Sequence, residues 1–259
     1  MQFTPARTVS FAAIVCFICS IFVSSAAVGL KDRQKENAIL DRQKKVLDVA
    51  GLLNKQMSAD VNLIKEAYAK RVKPILVNLK DGACDGQDPN TFDQHKFAKD
   101  PSTSTDVTGN KAKVQRTPNC AKIFNIKSEN GDGVDTVILP VEGKGLWSTL
   151  YGFIALNPNG VDIKGLTFYK HAETPGLGGE VDNPKWKAQW KGKKAFKDGS
   201  AVPSLYVKKG KVAKNDKYGV DGLSGATLTS NGVTHLLQFW LGKQGFGPYI
   251  EEKLKKGGK

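Results

Sequence analysis

Apolar and polar positions divide the chain into a long uncharged run, a charged helical stretch and a mixed region whose period shifts from helix to strand. From Thr8 to Leu30 no side chain carries a charge, with Arg7 before the run and Lys31, Asp32 and Arg33 directly after it. As a helix these 23 residues extend about 35 Å, enough to cross a hydrocarbon core of about 30 Å. A cleaved secretory signal is the rival reading, with Val9–Val23 as its apolar part and Ser24-Ser25-Ala26-Ala27 as the small-residue exit. The length of the run and its charged, helix-prone continuation favour a retained anchor. Lys31–Asn54 continues helically, with Ile39, Leu40, Val46, Leu47, Ala50 and Leu53 at mostly helical spacing and Gly51 weakening the end. A second helix is expected over Asp60–Val72, stopped by Pro74, and Asp81–Pro118 reads as a long polar surface excursion.

Strand-like patterns begin near Lys122 and strengthen at Asp135–Val141. The runs Thr149–Leu156 and Val161–Tyr169 flank Asn157-Pro158-Asn159-Gly160, which predicts a hairpin. A short helix is expected from Asn183, with Pro184 at its first position and Trp186 and Trp190 four apart. Pro203–Lys208 reads as another strand, and a final helix starts near Thr229 with Val233, Leu236, Leu237, Trp240 and Leu241. The expected architecture is α+β: an N-terminal transmembrane helix, then a compact domain with one mostly antiparallel sheet and helices packed against it. The expected division is an anchor over residues 1–30 and a domain over 31–259, of which 31–57 form a helical connector.

Charge narrows the function classes. The chain carries a net +14. Lys185-Trp186-Lys187 and Trp190-Lys191-Gly192-Lys193-Lys194 form an aromatic-interleaved basic patch of the kind that binds single-stranded nucleic acid. The membrane segment and the even spread of lysines favour a basic surface facing anionic lipid or acidic partner subunits, with no nucleic-acid partner. Counting charges around the apolar run, Lys31, Arg33 and Lys35 outweigh Arg7 and would retain the domain inside, although long domains translocate largely regardless of charge. Cys16 and Cys19 lie in the apolar run as small hydrophobes. Cys84 and Cys120 are either a disulfide, if the domain is exported, or two unrelated thiols; the sequence leaves both open. His95, His171 and His235 make no metal-ligand spacing, and no P-loop or G-x-G-x-x-G loop is present, so no metal is expected and NADH must bind elsewhere.

Chemistry concentrates in Asp221-Gly222-Leu223-Ser224-Gly225-Ala226-Thr227-Leu228-Thr229-Ser230. Thr227 offers a hydroxyl flanked by residues too small to obstruct a bulky group. Ser224, Thr229 and Ser230 are available to cap the following helix, whose N-terminus stabilises phosphate without a basic side chain. The bland alternative is a Gly/Ser turn before a helix. The ten-residue form, however, resembles the acceptor motif of the covalent FMN-binding domain family, in which Asp leads, Ser or Thr follows three residues later and Gly-Ala precedes a threonine esterified to FMN phosphate. A second block, His171-Ala172-Glu173-Thr174-Pro175-Gly176-Leu177-Gly178-Gly179-Glu180, resembles the flavin-facing loop of the same domain. The likeness is nearest to the C subunits of sodium-translocating NADH:quinone oxidoreductases and extends over nearly the whole chain.

That resemblance implies covalent FMN on Thr227, with Ser224, Gly225 and Ala226 beside it. It further implies one-electron relay, partner subunits holding the NADH, quinone and sodium sites, a separate flavin transferase for maturation, and an inner-membrane protein with its domain in the periplasm. Trp147 and Leu177 are candidates to stack on or cover the ring, Trp147 being equally compatible with core packing. Glu173 and Thr174, with the backbone amides of Gly176 and Gly178, are candidates to hydrogen-bond the flavin's polar edge. Two rival functions stay open here: the equivalent subunit of a ferredoxin:NAD oxidoreductase complex, and a cofactor-free exported binding or scaffold domain.

Overall fold

One helix, α1 (Pro5–Val49), carries both the uncharged run and its charged continuation. In the computed structural model, which describes residues 4–80, 82–131 and 133–255, it is the only helix among the described residues long and apolar enough to cross a membrane. The backbone separates into two compact units, one up to Arg42 and one from Gln43. Gly51 ends α1 outright. At φ +75° it donates to Asp48 O, and Leu52 N–H donates to Leu47 O, both at 2.9 Å, which is a Schellman closure.

After α2 (Lys55–Ala59), the helix α3 (Val61–Arg71) is capped by the Asp60 carboxylate, which accepts from the amides of Asn62 and Leu63. It then runs straight into a strand, β1 (Val72–Asn78), that the sequence reading did not contain. Pro74 was expected to stop a helix; it lies instead in an edge strand paired on one side only, where a missing N–H costs no ladder bond. The region expected as a polar excursion also has structure, namely α4 (Gln94–Lys99), β2 (Ser104–Asp106) and β3 (Arg116–Pro118). It buries Phe92, Val107, Ala112 and Val114, and a disulfide between Cys84 and Cys120 fastens it to the start of the next strand.

The main sheet is antiparallel throughout and runs β1, β4 (Cys120–Lys127), β5 (Val134–Lys144), β6 (Thr149–Leu156), β7 (Ile163–Lys170). The expected hairpin is β6–β7. Its turn is held by the Asn159 side chain, which accepts from the amides of Val161 and Asp162. After β7 come a 3-10 turn at Gly178–Asp182 and α5 (Pro184–Ala188), capped by Asn183. The short strands β8 (Tyr206–Lys208) and β9 (Gly219–Asp221) pair in parallel, so the strands do not all join one sheet. The chain closes with α6 (Thr227–Trp240), α7 (Gly247–Tyr249) and a π-helical turn at Ile250–Lys255.

Helix α6 buries Val233, Leu236, Leu237 and Trp240 in the core shared with Val137, Leu139 and Val141 of β5. Contact is close enough that a methyl group added at Gly143 would stand 2.6 Å from Leu236 Cβ. Trp240 also donates its indole N–H to Glu142 O at 2.7 Å, fixing helix to strand. The Glu142 side chain belongs to the opposite face, where His95 Nδ1 lies 3.8 Å from its Oε2 and Tyr151 is its cross-strand partner.

Two measurements test these contacts. Closing a 36-residue separation with a disulfide stabilises by about 3–4 kcal/mol on the chain-entropy estimate. Denaturation of the full chain in detergent should therefore show that loss for Cys84→Ser/Cys120→Ser, and equal stability would refute the crosslink's role. Burial raises the Glu142 carboxyl from 4.5 to about 7. Because the folded state holds this proton more tightly, the contribution is complete below pH 4.5 and is lost as pH rises towards 7. The stability of Glu142→Gln relative to wild type should accordingly increase by about 3 kcal/mol between those limits; a pH-independent difference would contradict it.

Candidate functional site

Three segments distant in sequence converge on one carboxylate. Strands β5 and β6 stay paired out to Lys144 and Thr149, leaving Gly145-Leu146-Trp147-Ser148 as a tight connection in which Gly145 N–H donates to Ser148 O at 2.8 Å. The chain beyond β7 brings Glu173 beneath this turn. Its Oε1 accepts from the amides of Trp147 and Ser148, both at 3.0 Å, and from the Ser148 hydroxyl at 3.2 Å. Its Oε2 accepts from Leu146 N–H at 3.1 Å and from the Thr229 hydroxyl at 2.7 Å. Thr229 lies in the first turn of α6, so the third segment joins here.

Glu173 is only 5 % exposed and Thr229 fully buried. Burial pushes the carboxyl's pKa up, but the hydrogen bonds from Thr229 and the amides of Ser148, Leu146 and Trp147 together outweigh it and hold the group below the usual carboxylate range. Close approach requires glycine on both sides. A methyl at Gly145 would stand 2.6 Å from Glu173 Oε1, and one at Gly178 would stand 2.6 Å from Thr229 Oγ1 and 2.8 Å from Glu173 Oε2. Lys144 Nζ donates to Trp147 O at 3.3 Å and adds a positive charge at the turn.

His171 supports this from below. Its Nδ1 accepts from Glu173 N–H at 3.2 Å, so its Nε2 carries the proton and donates to Asp182 at 2.9 Å. Thr174-Pro175-Gly176-Leu177 then forms a type II turn, with Gly176 at φ +76° and Leu177 N–H donating to Thr174 O at 3.1 Å. The turn carries Leu177 over the Asp221–Ser230 loop, where its Cδ2 lies 2.9 Å from the position of a methyl at Gly225.

The Asp221–Ser230 loop is itself held in place. Asp221 O accepts from the Trp186 indole, its N–H donates to the Gln189 side chain, and its carboxylate accepts from Val212 N–H. Gly225, at φ +68°, sits in a turn closed by Ala226 N–H to Leu223 O at 3.1 Å. Helix α6 begins at Thr227, two residues before the expected start, and no side chain caps it. The capping expected of Ser224, Thr229 and Ser230 does not occur. Thr229 is committed to Glu173, Ser230 Oγ accepts from Leu223 N–H, and Ser224 is exposed. As a result the amides of Thr227, Leu228 and Thr229 have no acceptor among the described residues.

The structure thus brings together Trp147, Glu173, Thr174, Gly176, Leu177, Gly178, Ser224, Gly225, Ala226 and Thr227. Cys84 and Cys120 belong to the fastening described above. Trp147 is 67 % exposed, which removes core packing as its role. Glu173 sits differently from the sequence expectation: five protein donors occupy the roughly four lone-pair sites of its carboxylate, leaving none for a flavin edge. The sequence reading also missed Leu146 and Leu228. Among the described residues outside α1, seven large hydrophobic side chains are exposed, and four of them (Leu146, Trp147, Leu177 and Leu228) lie on these converging segments. Each alone is an ordinary surface residue; their common location emerges only from the fold.

The residues present fit an FMN group on two counts. Free amides at the start of a 14-residue helix suit a phosphate, and the exposed apolar side chains around them suit a flat ring. Thr227 is exposed, and its hydroxyl has no hydrogen-bond partner among the described residues. Among the described residues, no group of three or more His, Cys, Asp or Glu side chains is placed to hold a metal.

Residues 145–242 match the FMN-binding domain family, a span that begins at the Gly145 turn and ends just beyond α6. The chain is 46% identical to the C subunit of the Na(+)-translocating NADH-quinone reductase of Vibrio anguillarum, over 97% of this chain and 96% of that one. It is 47% identical to the corresponding protein of Vibrio parahaemolyticus, over 93% and 92% respectively. The crystal structure of Shewanella oneidensis NqrC superposes with a TM-score of 0.74 at 36% identity, covering 81% of this chain and 94% of that one. With this identity sustained from end to end, the chain belongs to the NqrC family, the C subunits of Na(+)-translocating NADH-quinone reductases.

Proposed function

We propose that this chain is the electron-relay flavoprotein subunit of a sodium-translocating NADH:quinone oxidoreductase and that it carries FMN by a phosphoester bond to Thr227. One observation carries the attachment. Of the hydroxyls at the start of α6, Thr229 and Ser230 are buried and hydrogen-bonded, whereas Thr227 alone is both exposed and within the uncapped first turn. The free amides of Thr227 and Leu228 would hold the phosphate, and the helix dipole would stabilise its charge. Trp147, Leu177, Leu146 and Leu228 would cover the ring, while the Thr174–Gly178 turn would supply polar contacts through the Thr174 side chain and the amides of Gly176 and Gly178. When bound, the flavin supplies the one-electron chemistry, and the protein supplies placement and electrostatics.

Among the described residues no base contacts the Thr227 hydroxyl, and the nearby carboxylate of Glu173 is engaged by Thr229, which supports esterification by a separate flavin transferase. In that reaction Thr227 would supply the acceptor oxygen for the flavin phosphate, and the transferase would supply the acid–base chemistry. Partner subunits supply the NADH, quinone and sodium sites. Residues 1–30 anchor the protein in the inner membrane, and residues 31–259 face the periplasm, with 31–57 as the connector. The Cys84–Cys120 disulfide supports that orientation, since structural disulfides persist in oxidising compartments.

Thr227→Val should abolish the FMN mass increment and the ultraviolet fluorescence of the denatured band while leaving the chain folded; a variant still carrying flavin would refute the attachment site. An alkaline phosphatase fused after residue 259 should be active in whole cells. An inactive fusion, with free Cys84 and Cys120 thiols, would place the domain on the cytoplasmic side.

A further inference from the structure

We infer that Glu173 is the positioning residue of this site: through the amides of the Gly145–Ser148 turn and the hydroxyl of Thr229, its buried carboxylate locks the ring-covering turn to the first turn of α6. The inference rests on reading Thr227 as the flavin acceptor, but the lock is a property of the protein alone.

Geometry excludes two other roles for a buried acid at a cofactor site. As a general base for esterification, Glu173 would have to reach Thr227, yet the hydroxyl it holds is that of Thr229, which solvent cannot reach. As a direct ligand it would need a spare lone pair, and five donors already occupy both oxygens. What the arrangement does is mechanical. Three consecutive amides, those of Leu146, Trp147 and Ser148, point at one carboxylate, so the turn curls around it like a nest around an anion. The same carboxylate takes Thr229 from the facing helix at 2.7 Å, leaving the turn and helix little freedom to separate.

A second consequence concerns which hydroxyl is modified. Thr229 is two residues from Thr227 and chemically identical to it. Its hydrogen bond to Glu173 turns that side chain inward, while Thr227 remains outside. Glu173 therefore helps to select the acceptor as well as to shape its surroundings. Because hydrogen bonds to an ionised acceptor are the stronger kind, neutralising the group weakens all five together.

The test uses the full chain co-expressed with a flavin transferase, comparing wild type, Glu173→Gln, Glu173→Asp and Thr229→Val. Glu173→Gln replaces one acceptor oxygen with an amide that meets donors head-on. Flavin incorporation under limiting transferase should slow at least tenfold, since a small misplacement at a reacting site has effects of that order. In the fraction that is loaded, the flavin midpoint potential should move positive, because a fixed negative charge is gone. Glu173→Asp keeps the charge and should return the potential towards wild type without restoring the full rate. Thr229→Val removes one donor of five and should slow incorporation by about two- to fivefold. Wild-type rate and potential in Glu173→Gln would overturn the inference. Should that variant fail to fold, the same result in Thr229→Val overturns it.

A readout without flavin separates this inference from the reading beneath it. Hydrogen exchange at the amides of Leu146, Trp147 and Ser148 should be slow in the wild-type chain and at least tenfold faster in Glu173→Gln. If wild type carries no flavin yet these amides respond, the attachment reading fails and the lock stands; if wild type is loaded and the amides do not respond, the lock fails alone.

Discussion

A carboxylate withdrawn from water is costly unless its lone pairs find donors, and at Glu173 that demand organises the whole site. Each of the five donors is drawn from a segment that must then lie within hydrogen-bond distance of the others. The turn between β5 and β6 supplies four, and α6 supplies the fifth. Residue choices nearby follow from the same requirement. Gly145 and Gly178 leave room that a methyl group would occupy, and Ser148 serves twice, donating to Glu173 and accepting from Ala172 N–H at 2.8 Å. The burial cost is thereby offset locally, and the rigidity it enforces is passed to exposed side chains that no packing of their own would hold.

Charge placement in this protein is informative because the two scales disagree. The chain as a whole is strongly basic, yet the acceptor motif from Asp221 to Ser230 contains no Lys or Arg. A dissociable phosphate ligand usually draws on such side chains for affinity. An esterified one does not, since the bond replaces affinity with an effective concentration on the order of millimolar or higher. On the proposed ester the uncapped amides of α6 would be sufficient, and their lack of a side-chain cap has a structural cause: Thr229 and Ser230, the residues best suited to cap, are engaged elsewhere.

Much of the fold could be read from local pattern. The apolar run of α1, the β6–β7 hairpin with its Asn-Pro-Asn-Gly turn, and the Asn183-Pro184 start of α5 each carry their signal within a few residues. Strand β1 escaped because Pro74 is a strong local breaker, and only the edge position, a property of the finished sheet, makes it acceptable. The 81–118 segment read as surface because its polar composition hides four buried apolar residues that a disulfide and the end of β5 hold in place. At the site, the acceptor loop and the Thr174–Gly178 turn were legible as motifs. The Glu173–Thr229 contact spans 56 residues and has no local signature. The same is true of Leu146 and Leu228, whose importance lies in being exposed together.

Exposure is the remaining constraint on function. Trp147 at 67 % and Leu228 at 60 % leave apolar surface open to water, which a soluble domain ordinarily minimises. A relay cofactor, however, must exchange electrons with a donor and an acceptor held on other chains, so a deeply enclosed flavin would be isolated from both. A site at the surface solves access but weakens retention, because occupancy of a shallow site by a dissociable cofactor falls with its free concentration. The bond proposed at Thr227 and the lock inferred at Glu173 would answer the two halves of that problem separately: one would keep the flavin attached, and the other would keep its surroundings in a single arrangement without closing over it.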